Sequence, residues 1–182
     1  MKMLYKNLIL LILFFSFSTL FAQETIKTYA DNTLSEVTYA MSHPMHDWEG
    51  VNKNVRAVVK KNKETNGLTK VAVSLKIADF NSGNSNRDSH AVEVLDGIQY
   101  PAITFVSSEI TKTETNINIT GILTFHNVKK KITIPVHKKT EKGKEIYTGS
   151  FDVDMTEYAI KRPTLMNMPT DKIIKMRFFL VF

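Results

Sequence analysis

The chain has 182 residues, with 24 lysines and arginines against 18 aspartates and glutamates, which gives a formal charge of +6. It contains no cysteine, which excludes a disulfide scaffold, a cysteine zinc finger, a thiolate nucleophile and a lipid anchor attached to cysteine. The length suggests one domain, and 43% apolar with 23% charged residues is typical of a folded globular protein rather than a disordered one.

The first segment has the features of a secretory signal peptide. Two lysines give it a positive start, residues 8–15 are an unbroken apolar run, and Ala22 precedes a polar stretch. The apolar run is shorter than the roughly 20 residues that a membrane span needs. We therefore expect cleavage near Ala22, with residues 1–22 a signal peptide and residues 23–182 a single domain of a periplasmic or secreted protein. Export also argues against nucleic acid as a partner.

The remainder has the pattern of a series of β-strands. Thr, Val and Ile, which pack well on a pleated sheet, make up 46 of the 160 residues that follow Ala22. Eight strands with one apolar face each predict an all-β fold with antiparallel pairing around one interior. The pattern leaves open a barrel, which has room for one small ligand, or a packed sandwich. Apolar and polar residues alternate along residues 71–77, 117–125, 131–136 and 173–182, and weaker candidates cover residues 34–41, 48–60, 102–110 and 145–156.

One short helix is predicted near residues 86–96. Residues 85–88 have the form of a capping box, and Gly97 suits the end of a helix. We expect this helix to cover one open end of the barrel or sandwich. Four apolar residues recur at the spacing of one helical face: Ala91, Val94, Leu95 and Ile98.

Three segments agree in order and spacing with one family of exported proteins. Residues 82–90 and 100–105 resemble a Thr-Gly-Asn, Arg-Asp-x-His and Tyr-Pro-x-x-x-Phe run. Residues 121–130 resemble a Gly-x-Leu-Thr-x-His-Gly-x-Thr-Lys turn, with Asn127 in place of a Gly; Asn also tolerates the left-handed backbone of a tight turn. Residues 37–50 resemble an opening strand pair. On these segments the chain resembles the YceI-like family of lipid-binding proteins.

The resemblance implies an eight-stranded antiparallel, lipocalin-like barrel with a long apolar tunnel and a short covering helix near residues 86–96. It also implies an amphiphilic isoprenoid ligand in the periplasm, either a polyprenyl phosphate or an isoprenoid quinone, with no other cofactor required. On this basis we expect a protein that sequesters or carries the lipid and catalyses no reaction.

The apolar faces of the predicted strands supply the candidate lining of the tunnel. Each buried methylene contributes ~0.8 kcal/mol, so burying about ten gives ~8 kcal/mol, which is near micromolar affinity before ordering is subtracted. The alternative is that these side chains simply pack a core. The candidates are Val73, Leu75, Ile117, Ile119, Leu123, Phe125, Ile134, Met176 and Phe178.

Arg87, Asp88 and His90 form a compact polar cluster at the start of the predicted helix. Arg87 is a forked donor suited to a phosphate or quinone oxygen, and His90 is a second candidate for ligand contact. In the structural alternative, Asp88 is the capping acid, Arg87 pairs with a neighbouring carboxylate and His90 donates to a backbone carbonyl. Two other hypotheses remain: a small periplasmic enzyme acting on a lipid-like substrate through His90 and Asp88, and a stress-response protein with a packed core.

A histidine pair and two lysine clusters are weaker indications of a binding site. His43 and His46 have a spacing open to metal ligands, but no third ligand is evident, so no metal site is expected. Lysines at residues 129–131 and 138–139 suit transient contact with an anionic membrane surface, or else protect strand edges from aggregation.

The last predicted strand is apolar on both faces. Ile173, Phe179 and Val181 therefore need cover, either from a second subunit or from a loop such as residues 163–169. A homodimer is one possible consequence.

Overall fold

The computed structural model describes residues 24–113 and 116–182. The predicted signal peptide at residues 1–22 lies outside these residues. Within the described part of the chain, no helix is long and apolar enough to cross a membrane.

Thirteen strands and one α-helix make up the described residues. The helix is α1 (Ser85–Val94), and two short 3-10 turns cover Ile77–Asp79 and Met155–Tyr158. The strands are β1 (Thr25–Tyr29), β2 (Glu36–His43), β3 (His46–Asn52), β4 (Arg56–Asn62), β5 (Leu68–Lys76), β6 (Phe80–Asn81), β7 (Ala102–Lys112), β8 (Ile117–Phe125), β9 (Val128–Glu141), β10 (Lys144–Asp154), β11 (Thr164–Leu165), β12 (Met168–Pro169) and β13 (Ile173–Val181).

Eleven of these strands form one antiparallel sheet in the order β1-β4-β5-β7-β8-β9-β10-β13-β2-β3-β6. The two-residue strands β11 and β12 pair only with each other. Because inward side chains of β2, β4, β5, β7, β8, β9, β10 and β13 line one common cavity, the sheet curls around its apolar face. The predicted all-β, antiparallel architecture with a covering helix is confirmed.

The predicted count of eight strands was wrong. The segment at residues 48–60 is two strands, since Asn52 interrupts it: its fully buried side chain accepts from the Asn54 N–H at 2.8 Å and donates to the Lys76 carbonyl at 3.0 Å. The alternating pattern did not predict β1, because this strand is polar and mostly exposed. Strand β9 is longer than predicted, because it continues past its apolar centre through lysines that do not alternate with apolar residues.

Helix α1 lies where it was predicted, but the capping box does not form. Asn84 is the N-cap residue, and its side-chain oxygen accepts from the Arg87 N–H at 3.1 Å. The Asp88 carboxylate instead accepts from the Ser82 N–H at 3.0 Å, which ties the helix to the loop before it. At the other end the left-handed residue is Asp96, at φ 46°, rather than Gly97.

The last strand is covered within the chain. Val181 is buried because the segment between β1 and β2 lies against it: its N–H donates to Ser35 Oγ at 3.0 Å and its carbonyl accepts from the Asp31 N–H at 2.8 Å. The expectation that residues 163–169 cover this strand was wrong for Val181. Phe179 remains partly exposed, and the homodimer stays a prediction.

Candidate functional site

The curled sheet encloses an apolar cavity, here called the deep chamber, of about 90 Å³. Eight strands contribute its wall because every second side chain of a strand faces the same side of a sheet. Among the described residues that line it, only Tyr147 carries a hydroxyl; the rest are Val, Leu, Ile, Phe and Met. The interior of the protein is therefore hollow and apolar.

Most of the predicted lining residues meet in this chamber. Ile117 lines neither this chamber nor the next one; it lies partly buried at the beginning of β8. The alternating pattern identified the inward face but not the position along the barrel axis. The residues that line the deep chamber as predicted are Val73, Leu75, Ile119, Leu123, Phe125, Ile134, Met176 and Phe178.

Two inward-facing glycines leave room for aromatic rings in the deep chamber. A Cβ on Gly121 would lie 2.6 Å from Cζ of Phe105, and one on Gly149 would lie 2.6 Å from Cζ of Phe178. Each ring therefore lies against bare backbone, and a larger residue would push it away. In the sequence, the indication of this close packing is that Gly121 and Gly149 occupy inward positions of two alternating strands.

A second cavity, the outer chamber, adjoins the first and has a volume of about 270 Å³. Ile103, Phe125 and Met176 line both chambers, so the two cavities lie next to each other, with these three side chains between them. Its wall combines β2, β3, helix α1 and the β11–β12 hairpin, which contributes Leu165. This is the end of the barrel that the helix covers.

Arg87 and His90, the two predicted polar site residues, both line the outer chamber. The Arg87 guanidinium lies over the Trp48 ring, 5.5 Å from its centroid, a cation–π contact. Within residues 24–113 and 116–182 no ion pair joins Arg87 to a carboxylate. Burial, together with the negative charge of Asp88, raises the pKa of Tyr39 in the same wall.

The other two residues of the polar cluster, His90 and Asp88, have different partners. His90 Nδ1 lies 3.4 Å from Glu93 Oε2 in an exposed contact, and the expected bond to a backbone carbonyl is absent from the described contacts. Asp88 accepts from the loop before the helix, as above. In the described part of the chain these two side chains are not hydrogen-bonded to each other.

A row of aromatic side chains that the sequence did not identify as a site continues the wall of the outer chamber. The rings of His46 and Trp48 are 5.2 Å apart, and those of His43 and His46 are 5.8 Å apart. The described residues contain no group of three His, Asp or Glu side chains placed to hold a metal ion. The one available signal was period two: residues 46 and 48 share a face of β3.

His43 joins two turns beside the outer chamber, at the end called the mouth. It is buried; its Nδ1 accepts from the Met45 N–H at 3.2 Å, and its Nε2–H donates to the Met168 carbonyl at 3.1 Å. These contacts fit the neutral ring with its proton on Nε2. The ring thereby connects the β2–β3 turn to the β11–β12 hairpin.

A polar cluster around Glu145 lies at the opposite end of the deep chamber, where Tyr147 belongs both to the cluster and to the chamber wall. Its carboxylate accepts from Lys138 Nζ at 2.7 Å and from the Tyr147 hydroxyl at 2.8 Å, and it forms an ion pair with Lys61. Burial by itself would raise the pKa of Glu145, but the hydrogen bonds from Lys138, Lys61 and Tyr147 lower it to about 2. The sequence did not identify this cluster, because Lys61 on β4 lies 84 residues before Glu145 in the chain.

Comparisons with known proteins agree with this geometry. A UPF0312 protein of Pseudomonas savastanoi pv. phaseolicola (strain 1448A / Race 6) is 28% identical over 146 residues, which cover 74% of this chain and 72% of that protein. The structure of BcnA from Burkholderia cenocepacia shares the fold with a TM-score of 0.75 and 21% identity, over 84% of this chain and 99% of that one. A polyisoprenoid binding domain from Saccharophagus degradans shares it with a TM-score of 0.69 and 10% identity, over 87% and 98%. The model of the YceI-like domain matches residues 29–182, so this chain belongs to the YceI-like family.

Proposed function

We propose that this chain binds an amphiphilic isoprenoid lipid, a polyprenyl phosphate or an isoprenoid quinone, and sequesters or carries it without catalysing a reaction. The observation that carries the proposal is a pair of neighbouring chambers, the deep one lined by apolar side chains and the outer one lined by polar side chains as well. Such a gradient suits a ligand with a long apolar chain and one polar end. The Saccharophagus degradans domain, described as polyisoprenoid-binding, supports the same ligand class.

The apolar chain supplies most of the binding free energy in this proposal. Ten buried methylene groups contribute ~8 kcal/mol, part of which is lost to ordering the ligand. The deep chamber is lined almost entirely by aliphatic and aromatic side chains, so it discriminates little between chains of similar length and width. Selectivity therefore depends on the polar end of the ligand.

The polar end lies in the outer chamber in this proposal. Arg87 is held by Trp48 and has no carboxylate partner among the described residues, so its N–H donors are open to a phosphate or quinone oxygen. His90 lies one helical turn away on the same wall. We further propose that the protein acts after export to the periplasm or beyond, which the features of residues 1–22 support.

Native mass spectrometry of the protein purified from its own host tests the proposal. We expect a co-purifying lipid that Ile119→Phe, which fills the deep chamber, reduces roughly tenfold in occupancy. The matched control is Ile122→Phe on the same strand: Ile122 faces outward, so its lipid occupancy should equal that of the wild type. Thermal unfolding of both variants shows that each is folded.

Three results would overturn the proposal. The first is a wild-type protein that repeatedly carries no lipid and, after delipidation, takes up no polyprenyl chain. The second is equal loss of lipid in Ile119→Phe and Ile122→Phe. The third is turnover of a bound lipid that His90→Ala abolishes while binding persists, which would replace a carrier by an enzyme.

A further inference from the structure

Exposed apolar side chains are concentrated on two neighbouring turns at the mouth of the outer chamber. Met45 on the β2–β3 turn is 55% exposed, and on the β11–β12 hairpin Leu165, Met166 and Met168 are 47%, 75% and 36% exposed. These four residues are called the mouth tip. His43 holds its two parts together through Met45 and Met168. The two turns that carry these four exposed side chains are therefore held beside each other.

The backbone of the mouth tip indicates that its apolar character does not serve folding. Met166 and Asn167 form the turn between β11 and β12, with φ values of 50° and 61°. Glycine, asparagine and aspartate suit such positions, and a methionine there costs about 1 kcal/mol. The Met166 side chain is the most exposed of the four and recovers little of that free energy by packing. The Met166 side chain is therefore free to contact a partner outside the chain.

The chemistry around the mouth tip selects among possible partners. Beside the hairpin, Lys161 is exposed, whereas Arg162 donates to the Thr170 carbonyl. Asp171 follows the hairpin, and Asp47 follows the β2–β3 turn. Unbranched, flexible methionine side chains accommodate an irregular apolar phase. Apolar side chains with cations beside them match the acyl region and the phosphates of an anionic lipid bilayer. The hairpin also lines the outer chamber through Leu165, so this surface continues into the cavity.

We propose that the mouth tip inserts into the surface of an anionic lipid bilayer and places the outer chamber against it. A chain ligand then moves between bilayer and cavity without crossing water. Docking stands independently of the function proposed above, whereas the transfer step rests on it. Met45 and Met166 do not line either chamber, so they can be changed without altering the wall that a ligand contacts.

Flotation with vesicles tests docking, using the chain from Gln23 onward, which contains every strand and helix described above. With vesicles of phosphatidylethanolamine and phosphatidylglycerol we expect binding that Met166→Ser weakens roughly tenfold and that adding Met45→Ser weakens further. The matched control is Leu34→Ser: Leu34 is also 47% exposed but lies between β1 and β2, beside the segment that contacts Val181. Lys161→Glu should weaken binding to these vesicles and not to vesicles of phosphatidylcholine alone.

Docking is refuted if the wild type does not float with either kind of vesicle, or if Leu34→Ser loses as much binding as Met166→Ser. A second measurement separates docking from ligand binding: uptake of geranylgeraniol added from ethanol should be equal in the wild type and in Met166→Ser, while transfer of the same alcohol out of vesicles should be slower in the variant. A wild type that floats but takes up no geranylgeraniol contradicts the proposed function and leaves docking intact. One that takes it up but does not float contradicts docking alone.

Discussion

The two ends of the cavity are built from opposite kinds of contact. At the floor, Glu145 and Lys61 have side chains only 13% and 10% exposed, and hydrogen bonds from β4, β9 and β10 converge on one carboxylate. At the mouth, a hairpin of two-residue strands pairs only with itself and is joined to the sheet through His43 and short backbone contacts. More side-chain hydrogen bonds and ion pairs therefore converge at the floor than join the hairpin to the sheet at the mouth.

The largest effect on this contrast should come from removing the centre of the floor. Glu145→Ala leaves the ammonium groups of Lys61 and Lys138 without their shared carboxylate, and a buried unpaired charge is expected to lower the free energy of unfolding by about 3 kcal/mol. The control is Glu141→Ala, whose ion pair with Lys139 is exposed and should contribute less than about 1 kcal/mol. Urea denaturation measures both, and similar losses would show that the floor is not the rigid end.

Acidification should weaken the floor as Glu145 becomes protonated. The pKa of Glu145 is about 2 in the folded protein against a reference of 4.5, so its contribution is complete above about pH 4.5 and is lost as the pH falls towards 2. Glu145→Gln, which keeps the size of the side chain, should therefore have a shallower loss of stability over this range than the wild type. Denaturation at a series of pH values measures the difference.

The comparison with Glu145→Gln isolates one carboxyl among several. Hydrogen bonds from Thr33 and Lys172 hold the pKa values of Asp31 and Asp154 at about 2 as well. These groups contribute equally to both proteins and cancel in the difference. If the free energy of unfolding falls with pH equally in the wild type and in Glu145→Gln, Glu145 does not stabilise the floor as described.

The smallest effect is expected at the mouth and has the opposite sign. Met166→Gly relieves a left-handed backbone and should raise the free energy of unfolding by about 0.5 kcal/mol while it weakens vesicle binding. The same change at Leu34, whose φ is negative, should lower stability because it only adds backbone freedom. Thermal unfolding and flotation of the two variants provide the test; a destabilised Met166→Gly would contradict the reading of the tip as strained.

Alternation of apolar and polar residues was sufficient to predict the inner face of the sheet. Leu123 and Phe125 line the deep chamber because side chains two apart on a strand point the same way. The same rule included Ile117, which shares that face but lies outside both chambers. Alternation with period two predicts which side of the sheet a residue faces. It does not predict how far along the strand a cavity begins.

The polar residues were less predictable, because their partners depend on folding. The Ser-x-x-Asp spacing indicated a cap at Ser85, yet Asn84 captures the free N–H one residue earlier and releases Asp88 for the loop. Trp48 beneath Arg87 had no signal in the sequence, since 39 residues separate them. Side chains that are close in the sequence compete for the same free N–H groups, and other contacts join residues that only folding brings together. The apolar–polar pattern contains information about neither.

The sequence by itself determined the strands, the helix over one end and the apolar side of the sheet, because these follow from the geometry of neighbouring residues along one chain. Only the tertiary structure decided that the sheet curls around a hollow, that a buried cluster around Glu145 lies at one end of it and that the β2–β3 turn and the β11–β12 hairpin lie side by side at the other. Each of these depends on which distant strands become neighbours, and loop closure and packing, not local preference, select that arrangement.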